Sequence, residues 1–216
     1  MEKFKTIVEE CVSGEIVEKK SKFIANLFFV ESVDDAESKI KLMKKRYYDA
    51  KHNCYAYIIN QNNEITKKSS DDGEPSGTAG APMLEILVKN NLANVLVVVT
   101  RYFGGILLGT GGLVRAYSDS LKKAIENATW VSQEHGFEMD IVIDYSDFEN
   151  FKYYCGKRNI KIIENEYLDN IICKINLNDD EKDILENDYK NQNSLKIKKI
   201  DNIRQKNIIC LSEIVD

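Results

Sequence analysis

The sequence predicts an α+β protein of two domains. In residues 1–130, alternating strand patterns are mixed with amphipathic helices around a glycine-rich centre. From residue 135 the predicted order of elements is βαββαβ, which is the ferredoxin-like arrangement. The charge balance also changes, because residues 1–130 hold 18 Lys/Arg and 17 Asp/Glu whereas residues 131–216 hold 12 and 18. We therefore expect a boundary near Ala128–Glu134, with domains at 1–130 and 131–216.

The first domain begins with two predicted strand regions and a helix. Lys5–Cys11 and Glu15–Val30 have strand patterns, and a change of apolar parity indicates a bulge or turn near Lys20. Ser32 is the predicted N-cap of the helix. Its apolar face is predicted to contain Val33, Ala36, Ile40, Met43 and Tyr47. Five basic residues occupy its other faces and are most simply interpreted as a solvated surface: Lys39, Lys41, Lys44, Lys45 and Arg46.

A hairpin and two glycine-bearing loops follow. Asn53–Asn60 and Glu64–Ser69 are predicted strands joined by a turn at residues 61–63. An acidic loop, Asp71–Gly80, then leads into a helix with Pro82 in its first turn. Asn94–Thr100 is a short apolar, β-branched run that predicts a strand buried on both faces. A glycine loop, Arg101–Gly112, leads into a helix that we expect to begin near Thr110 or Gly111.

The second half contains six predicted elements and no glycine-rich nucleotide loop or catalytic cluster. We therefore interpret it as a surface for contact with a partner. Its predicted strands are Phe137–Ile143, Ile160–Tyr167, Ile171–Leu177 and Leu195–Ile209, and its predicted helices are Ser146–Lys157 and Asp179–Lys190. Asn178 or Asp179 is the predicted cap of the second helix. The long final strand could be an exposed edge, so the oligomeric state stays open.

The glycine loop has the strand–loop–helix order of a phosphate site. Its glycines allow backbone N–H groups to approach an anion at the helix N-terminus, and Arg101 and Arg115 could add forked donors. A phosphate of RNA or of a nucleotide would fit. The alternative is a tight structural turn in which Arg115 pairs with Asp71 or Asp72.

Other side chains nearby have both functional and structural interpretations. Asp71, Asp72 and Glu74 could bind magnesium, but a solvated turn or arginine partners are the expected roles, so we predict neither a metal nor another cofactor. His52 could be a general base, although a structural hydrogen bond is the expected role, and we assign no catalytic residue. The aromatic residues could stack on single-stranded RNA or belong to the core: Tyr55, Tyr57, Tyr102 and Phe103.

The predicted binding surface combines residues of both loops with His52, Tyr55 and Arg115. Its members are Asp71, Asp72, Gly73, Glu74, Ser76, Gly77, Thr78, Gly80, Arg101, Tyr102, Phe103, Gly104, Gly105, Gly109, Thr110, Gly111, Gly112, Arg115, His52 and Tyr55. Ser76 and Thr78 lack the spacing of a hydrolase nucleophile elbow.

Three long blocks of the first domain stand in a fixed order: SDDGEPSGTAG (Ser70–Gly80), VVVTRYFGG (Val97–Gly105) and LGTGGLVRAYS (Leu108–Ser118). Together they resemble the signature of the YigZ/Impact family, and KSKFIA (Lys20–Ala25) and His52 with CYAY (Cys54–Tyr57) are similar to it too. The resemblance covers residues 1 to about 130. The second half is similar, in the order of its elements, to the ferredoxin-like domain that bacterial members append.

The resemblance implies a fold and a cellular process. It implies a first domain with the fold shared by a ribosomal-protein domain, the fourth domain of elongation factor G and the galactokinase-type kinases. The implied second domain is similar to the fifth domain of elongation factor G, and this pairing implies contact with RNA or the ribosome. Eukaryotic relatives named Impact restrain an amino-acid-sensing kinase of translation initiation by competing for its activator. The sequence lacks their extra N-terminal domain, so we do not expect that role to transfer.

These observations favour a non-enzymatic regulator of translation that binds RNA, the ribosome or a protein partner. The alternative is an enzyme that acts on a phosphorylated small molecule or nucleotide, although no Walker Lys-Ser/Thr follows the glycine loop. The first residues carry no signal-peptide pattern, and the longest apolar run, Val95–Val99, is too short to span a bilayer, so we expect a cytoplasmic protein without membrane contact. The odd number of cysteines, five, is consistent with reduced thiols.

Overall fold

The structure, a computed structural model, describes residues 3–61, 64–191 and 196–215, with side chains as far as residue 208. The fold is mixed α+β, which confirms the predicted class. The chain divides into two compact units that consist mainly of Phe4–Ser132 and Gln133–Cys210. No helix in the described ranges is long and apolar enough to cross a membrane.

The first unit contains a five-stranded sheet and three helices. Its elements are β1 (Phe4–Ile7), β2 (Cys11–Glu18), β3 (Ser21–Phe29), α1 (Val33–Arg46), β4 (His52–Gln61), β5 (Glu64–Ser70), α2 (Gly80–Lys89), β6 (Val95–Tyr102) and α3 (Gly109–Glu126). The sheet has the order β2-β3-β6-β4-β5, and all its neighbouring strands are antiparallel. The turn predicted at residues 61–63 lies largely outside the described residues.

Two details of the predicted N-terminal strands differ from the structure. The strand predicted over Lys5–Cys11 ends at Ile7, and residues 8–10 form bends before β2 begins at Cys11. The predicted break near Lys20 is confirmed, because β2 and β3 form a hairpin around Lys19 and Lys20. Both turn residues have positive φ, 45° and 64°, which is the backbone geometry of a type I′ turn.

The sheet of the first unit is covered on both faces, as the apolar run of β6 predicted. Val95, Val97 and Val99 belong to the core that includes α2 and α3, whereas Leu96 and Val98 belong to the core that includes α1. Successive strand side chains point to opposite faces, so one strand contributes to two cores. Helices therefore cover both faces of this sheet.

Helix α1 is fixed by its cap and by its predicted apolar face. The Ser32 hydroxyl accepts a hydrogen bond from the Asp35 N–H at 3.1 Å, which satisfies one free amide of the first turn. Ala36, Ile40 and Met43 are buried against the sheet, as predicted.

The second unit has the predicted βαββαβ order. Its elements are β7 (Trp130–Ile143), α4 (Phe148–Lys157), β8 (Lys161–Tyr167), β9 (Ile171–Leu177), α5 (Asp179–Lys190) and β10 (Lys199–Val215), with a short 3₁₀ turn (Tyr145–Asp147) before α4. The sheet order is β7-β9-β8, and β10 also pairs with β7. Asn178 caps α5 in a reciprocal capping box with Glu181.

The hairpin turn between β2 and β3 provides a test of local strain. A side chain in the left-handed region costs roughly 1–2 kcal/mol, and Asn-Gly is the preferred type I′ pair. We expect the double substitution Lys19→Asn/Lys20→Gly to raise the free energy of unfolding by about 1 kcal/mol. Urea unfolding followed by circular dichroism measures this change. Unchanged or reduced stability would contradict the assigned turn geometry.

Candidate functional site

The acidic loop and the glycine loop leave the same end of the first sheet. His52, at the start of β4, lies opposite Arg101 near the end of β6. Ser70, the last residue of β5, lies opposite Tyr55 of β4. The acidic loop therefore begins at the end of the sheet where β4 starts, and the glycine loop begins at that same end.

A buried ion pair connects the two loops. Arg101 donates a hydrogen bond from Nη1 to Glu74 Oε1 at 2.6 Å, and the two side chains are only 7% and 3% exposed. The Arg101 guanidinium also lies over the rings of Phe23 and Phe103, with its central carbon 5.4 and 5.5 Å from their centroids. Its second terminal nitrogen lies 3.4 Å from the Ser21 hydroxyl. Because both charges are removed from water, each depends on the other for compensation.

Three further polar side chains surround Glu74. Tyr117 of α3 donates its hydroxyl to the same Oε1 at 2.9 Å, and His52 Nε2 lies 4.0 Å from that oxygen. The Cys54 Sγ lies 3.3 Å from the Tyr117 hydroxyl and 2.9 Å from the Asp71 carbonyl oxygen. This buried polar cluster joins β4, β6, α3 and the acidic loop.

The environment of Cys54 and Tyr117 keeps both groups protonated. Burial, followed by the charges of Glu74, Asp72 and Asp71, raises the pKa of the Cys54 thiol to about 12, although the Tyr117 hydrogen bond opposes this change. Burial, followed by the nearby Cys54 and Glu74, also raises the pKa of Tyr117. A thiolate is the nucleophilic form of cysteine, so Cys54 does not have the properties of a nucleophile at neutral pH.

The remaining carboxylates of the acidic loop have internal partners. Asp71 accepts hydrogen bonds from the N–H groups of Gly77, Ala79 and Gly80 at 2.8, 2.9 and 2.8 Å. Ala79, the N-cap residue of α2, has no side-chain cap of its own, so Asp71 caps this helix from eight residues away. Asp72 accepts the N–H of Asn53 at 2.7 Å and pairs with Lys44.

These contacts give an internal partner to each of the three carboxylates that were considered as magnesium ligands. Across the part of the chain that the structure describes, no group of three or more His, Cys, Asp or Glu residues is arranged to bind a metal ion. His52 is buried, and its Nδ1 lies 2.9 Å from the Asp72 carbonyl oxygen. Ser76 is exposed, whereas the buried Thr78 donates its hydroxyl to the Pro75 carbonyl at 2.6 Å.

The glycine loop combines a close backbone contact with an open helix N-terminus. Gly104 donates its N–H to the Ser21 hydroxyl at 3.1 Å, and a Cβ at this position would lie 2.0 Å from the Lys20 carbonyl carbon. Gly105 and Gly109 have φ values of 84° and 72°, which favour glycine. Helix α3 begins at Gly109, close to the predicted start, without a side-chain cap and without an acid in its first turn.

Arg115 and Arg101 have different environments. Arg115 is exposed and, within the described ranges, forms neither a hydrogen bond nor an ion pair, so the alternative pairing with Asp71 or Asp72 is not seen. Arg101 is buried and held by Glu74. Thr110 and Gly111 are exposed beside Arg115 at the start of α3, and a Cβ at Gly111 would meet no atom within 4 Å.

The predicted aromatic residues do not form one surface. Tyr55 and Tyr57 pack with the core on the α1 side of the sheet, and Tyr57 is buried. Tyr102 donates its hydroxyl to Asp49, which follows α1, at 2.8 Å. Phe103 lies instead against Arg101 and is 51% exposed.

Three residues that contact the ion pair or its polar neighbours are absent from the predicted site. These residues are Ser21, Cys54 and Tyr117, and all three lie within the sequence blocks that resemble the YigZ/Impact signature. Tyr117 follows the helical spacing of an apolar face, which indicated only a core residue. Its role at Glu74 depends on tertiary contacts between residues 43 positions apart.

The fold and the site define a two-unit α+β protein whose first unit presents two loops joined by a buried ion pair. The family model for the Impact N-terminal domain matches residues 19–125. The IMPACT family member YvyE of Bacillus subtilis is 42% identical over 161 residues, which cover 74% of this chain and 70% of the relative. The chain therefore belongs to the IMPACT family.

Two further matches extend over both units. The IMPACT family member YigZ of Escherichia coli is 34% identical over 173 residues, covering 80% of this chain and 81% of that protein. A solved structure described as the crystal structure of a hypothetical protein has a TM-score of 0.63 and 28% sequence identity, covering 93% of this chain and 97% of the other.

Removal of the Glu74 charge tests the ion pair. In Glu74→Gln the Arg101 charge stays buried without a counter-charge, so we expect the free energy of unfolding to fall by about 3–5 kcal/mol. Glu85→Gln is the matched control, because Glu85 pairs with Lys89 on the surface and its loss should change stability by less than about 0.5 kcal/mol. Urea unfolding measures both, and equal effects would contradict the assigned role of Glu74.

The Asp71 carboxylate gives a pH-dependent prediction. Burial opposes its charge, but hydrogen bonds from Gly77, Gly80 and Ala79 outweigh burial and lower the pKa of Asp71 below its ordinary value of 3.8. Its stabilising contribution is therefore present above pH 3.8 and is lost as the pH falls through the lowered pKa of the folded state.

Comparison of the wild type with Asp71→Asn isolates this contribution. We expect the variant to be less stable by about 1–2 kcal/mol above pH 5, with a difference that shrinks as the pH falls below about 4. Urea unfolding between pH 6 and about 2.5 gives the two curves. Asp119→Asn, at an exposed surface pair, is the control and should follow the wild type. A difference that grows on acidification would contradict a lowered pKa.

Proposed function

We propose that the protein is a non-enzymatic regulator of translation that binds RNA, free or on the ribosome, through the two loops of its first unit. The observation that carries this proposal is the open N-terminus of α3 beside Arg115. The amides of Gly109–Gly112 follow Leu108, which provides no side-chain cap, and no acidic side chain competes for them in the first turn. An RNA phosphate there would accept hydrogen bonds from the amides and interact favourably with the helix dipole.

The contacts within the site assign different roles to its members. Arg115 is available to donate a forked pair of hydrogen bonds to a phosphate. Arg101 acts as a positioning residue, because its guanidinium is held by Glu74 and thereby fixes the acidic loop beside the glycine loop. Phe103, exposed at the edge of the glycine loop, is suited to stack on an unpaired base.

Family membership supports the part of this proposal that assigns the protein to translation. The sequence resemblance connects members of the IMPACT family with translation control. The family match also includes both loops, since the Impact N-terminal domain model matches residues 19–125. The net charge of −5 requires that RNA affinity come from a local surface rather than from the whole chain. We further propose a cytoplasmic protein with an Impact-type domain at 1–130 and a ferredoxin-like domain, similar to the fifth domain of elongation factor G, at 131–216.

Gly111 permits a test that separates ligand binding from folding. A side chain at Gly111 has free space, and an aspartate in the first turn favours the helix dipole, so Gly111→Asp should fold with unchanged or higher stability. The same carboxylate repels a phosphate at the α3 N-terminus. We expect it to weaken binding to purified ribosomes and to single-stranded RNA by at least about tenfold.

Gly111→Ala is the matched control, because it fills the same space without charge and should bind as the wild type does. Arg115→Ala should also reduce affinity, whereas Lys122→Ala, two turns further along α3, should not. Ribosome co-sedimentation at two salt concentrations and fluorescence anisotropy with RNA measure these effects. Full binding by Gly111→Asp would overturn the proposed site. A thermal shift of the wild type with nucleotides but not RNA would favour the enzyme alternative.

A further inference from the structure

A strongly basic surface lies at the C-terminal end of α1. This α1 basic surface consists of the exposed residues Lys41, Lys44, Lys45, Arg46 and Lys51, together with Tyr48. The last helical turn is a favourable place for cations, since the C-terminal carbonyl groups carry partial negative charge. However, Lys41 lies one turn before that position and Lys51 lies beyond the helix, so the helix dipole does not explain the whole surface.

Most of these charges lack compensation. Lys41 and Lys45 are four residues apart on α1, a spacing at which like charges destabilise a helix. The acids one turn away bind elsewhere, because Glu37 pairs with Lys68 at 2.7 Å and Asp49 accepts the Tyr102 hydroxyl at 2.8 Å. Within the described ranges, Lys41, Lys45 and Lys51 form no ion pair. Three of the five cations of this surface therefore have no internal counter-charge, and an anionic ligand would supply one.

Tyr48 adds an aromatic ring to the same surface. Its side chain is 85% exposed, and no ring contact or hydrogen bond to a described residue holds it. An exposed tyrosine among lysine and arginine side chains combines base stacking with backbone neutralisation, which is how proteins bind single-stranded nucleic acid.

The α1 basic surface adjoins both loops of the proposed binding site. Lys44 pairs with Asp72 of the acidic loop, and Asp49, next to Tyr48, accepts a hydrogen bond from Tyr102 at the start of the glycine loop. These two contacts place the end of α1 at the same end of the sheet as the loops. The α1 basic surface and the glycine loop therefore lie at the same end of the first sheet, with α1 on one face of the sheet and α3 on the other.

We infer that the α1 basic surface is a second contact for unpaired RNA, with phosphates bound by Lys41, Lys45 and Arg46 and a base stacked on Tyr48. This inference rests on the proposed function, because it extends the same RNA from the glycine loop. The sum of the charges and the exposed ring favours RNA over an acidic protein segment, which would neutralise the lysines but would not require an aromatic platform.

The test uses the full chain and labelled RNA of defined form. Fluorescence anisotropy with a 20-nucleotide oligouridine at several salt concentrations gives the affinity and the slope of log K against log salt. We expect Lys41→Gln/Lys45→Gln to reduce the magnitude of that slope by about 1.4, because two phosphate contacts of a single strand are lost. We expect Tyr48→Ala to weaken binding by roughly tenfold and Tyr48→Phe to retain wild-type affinity.

Lys122→Gln/Lys123→Gln removes the same charge from the far part of α3 and should leave the slope unchanged. Urea unfolding verifies that each variant is folded. A full wild-type slope in Lys41→Gln/Lys45→Gln, or wild-type affinity in Tyr48→Ala, overturns the inference. Equal binding of a polyglutamate peptide with no dependence on Tyr48 also overturns it, in favour of an acidic protein partner.

The outcomes distinguish this inference from the proposed function. If Gly111→Asp abolishes oligouridine binding while the α1 variants bind normally, the glycine-loop proposal stands and the second contact fails. If only the α1 variants lose binding, the second contact stands and the glycine-loop site fails. If the wild type binds neither oligouridine nor ribosomes at low salt, both fail.

Discussion

The arrangement of the candidate site depends on the buried ion pair between Glu74 and Arg101. Each charge is more than nine-tenths removed from solvent, and together they join the acidic loop to the end of β6. Isolated burial of either group would be strongly unfavourable, but the pair gains compensation from the Tyr117 hydroxyl and from the Phe23 and Phe103 rings. The loops are thus positioned by a charge pair that is buried from solvent, and binding is left to the exposed residues around it.

The separation of buried positioning groups from exposed binding groups explains why charged residues in neighbouring positions have different roles. Asp71 uses its carboxylate to cap α2, and Glu74 compensates Arg101, so neither carboxylate remains free for an external cation. The N-terminus of α3 has no comparable internal cap. Because the acidic loop satisfies its carboxylates internally and the start of α3 leaves donors at the surface, that end of the sheet is suited to an anionic ligand despite the net negative charge of the chain.

The sequence predicted most of the elements because their signals are local. The apolar run of β6, the Ser32 cap and the Asn178 cap depend on residues within one strand or one helical turn, and the structure confirms them. The strand predicted over residues 8–10 was wrong, since bends interrupt the chain there. The interaction of Glu74 with Arg101 spans 27 positions, and no local pattern distinguishes it from a surface acid. Strand parity could have separated Arg101 from Tyr102, because adjacent residues of β6 point to opposite faces.

Hydrogen–deuterium exchange with and without oligouridine tests the central claim most directly, because it reports on the backbone amides that are proposed to bind phosphate. The account predicts slower exchange at Gly109–Gly112 in the presence of RNA, with unchanged exchange in β8 and β9 of the second unit. These α3 amides have no side-chain cap, so bound phosphate is the expected source of their protection. Protection confined to residues 133–208, or none at the start of α3 under conditions where RNA is bound, would contradict it.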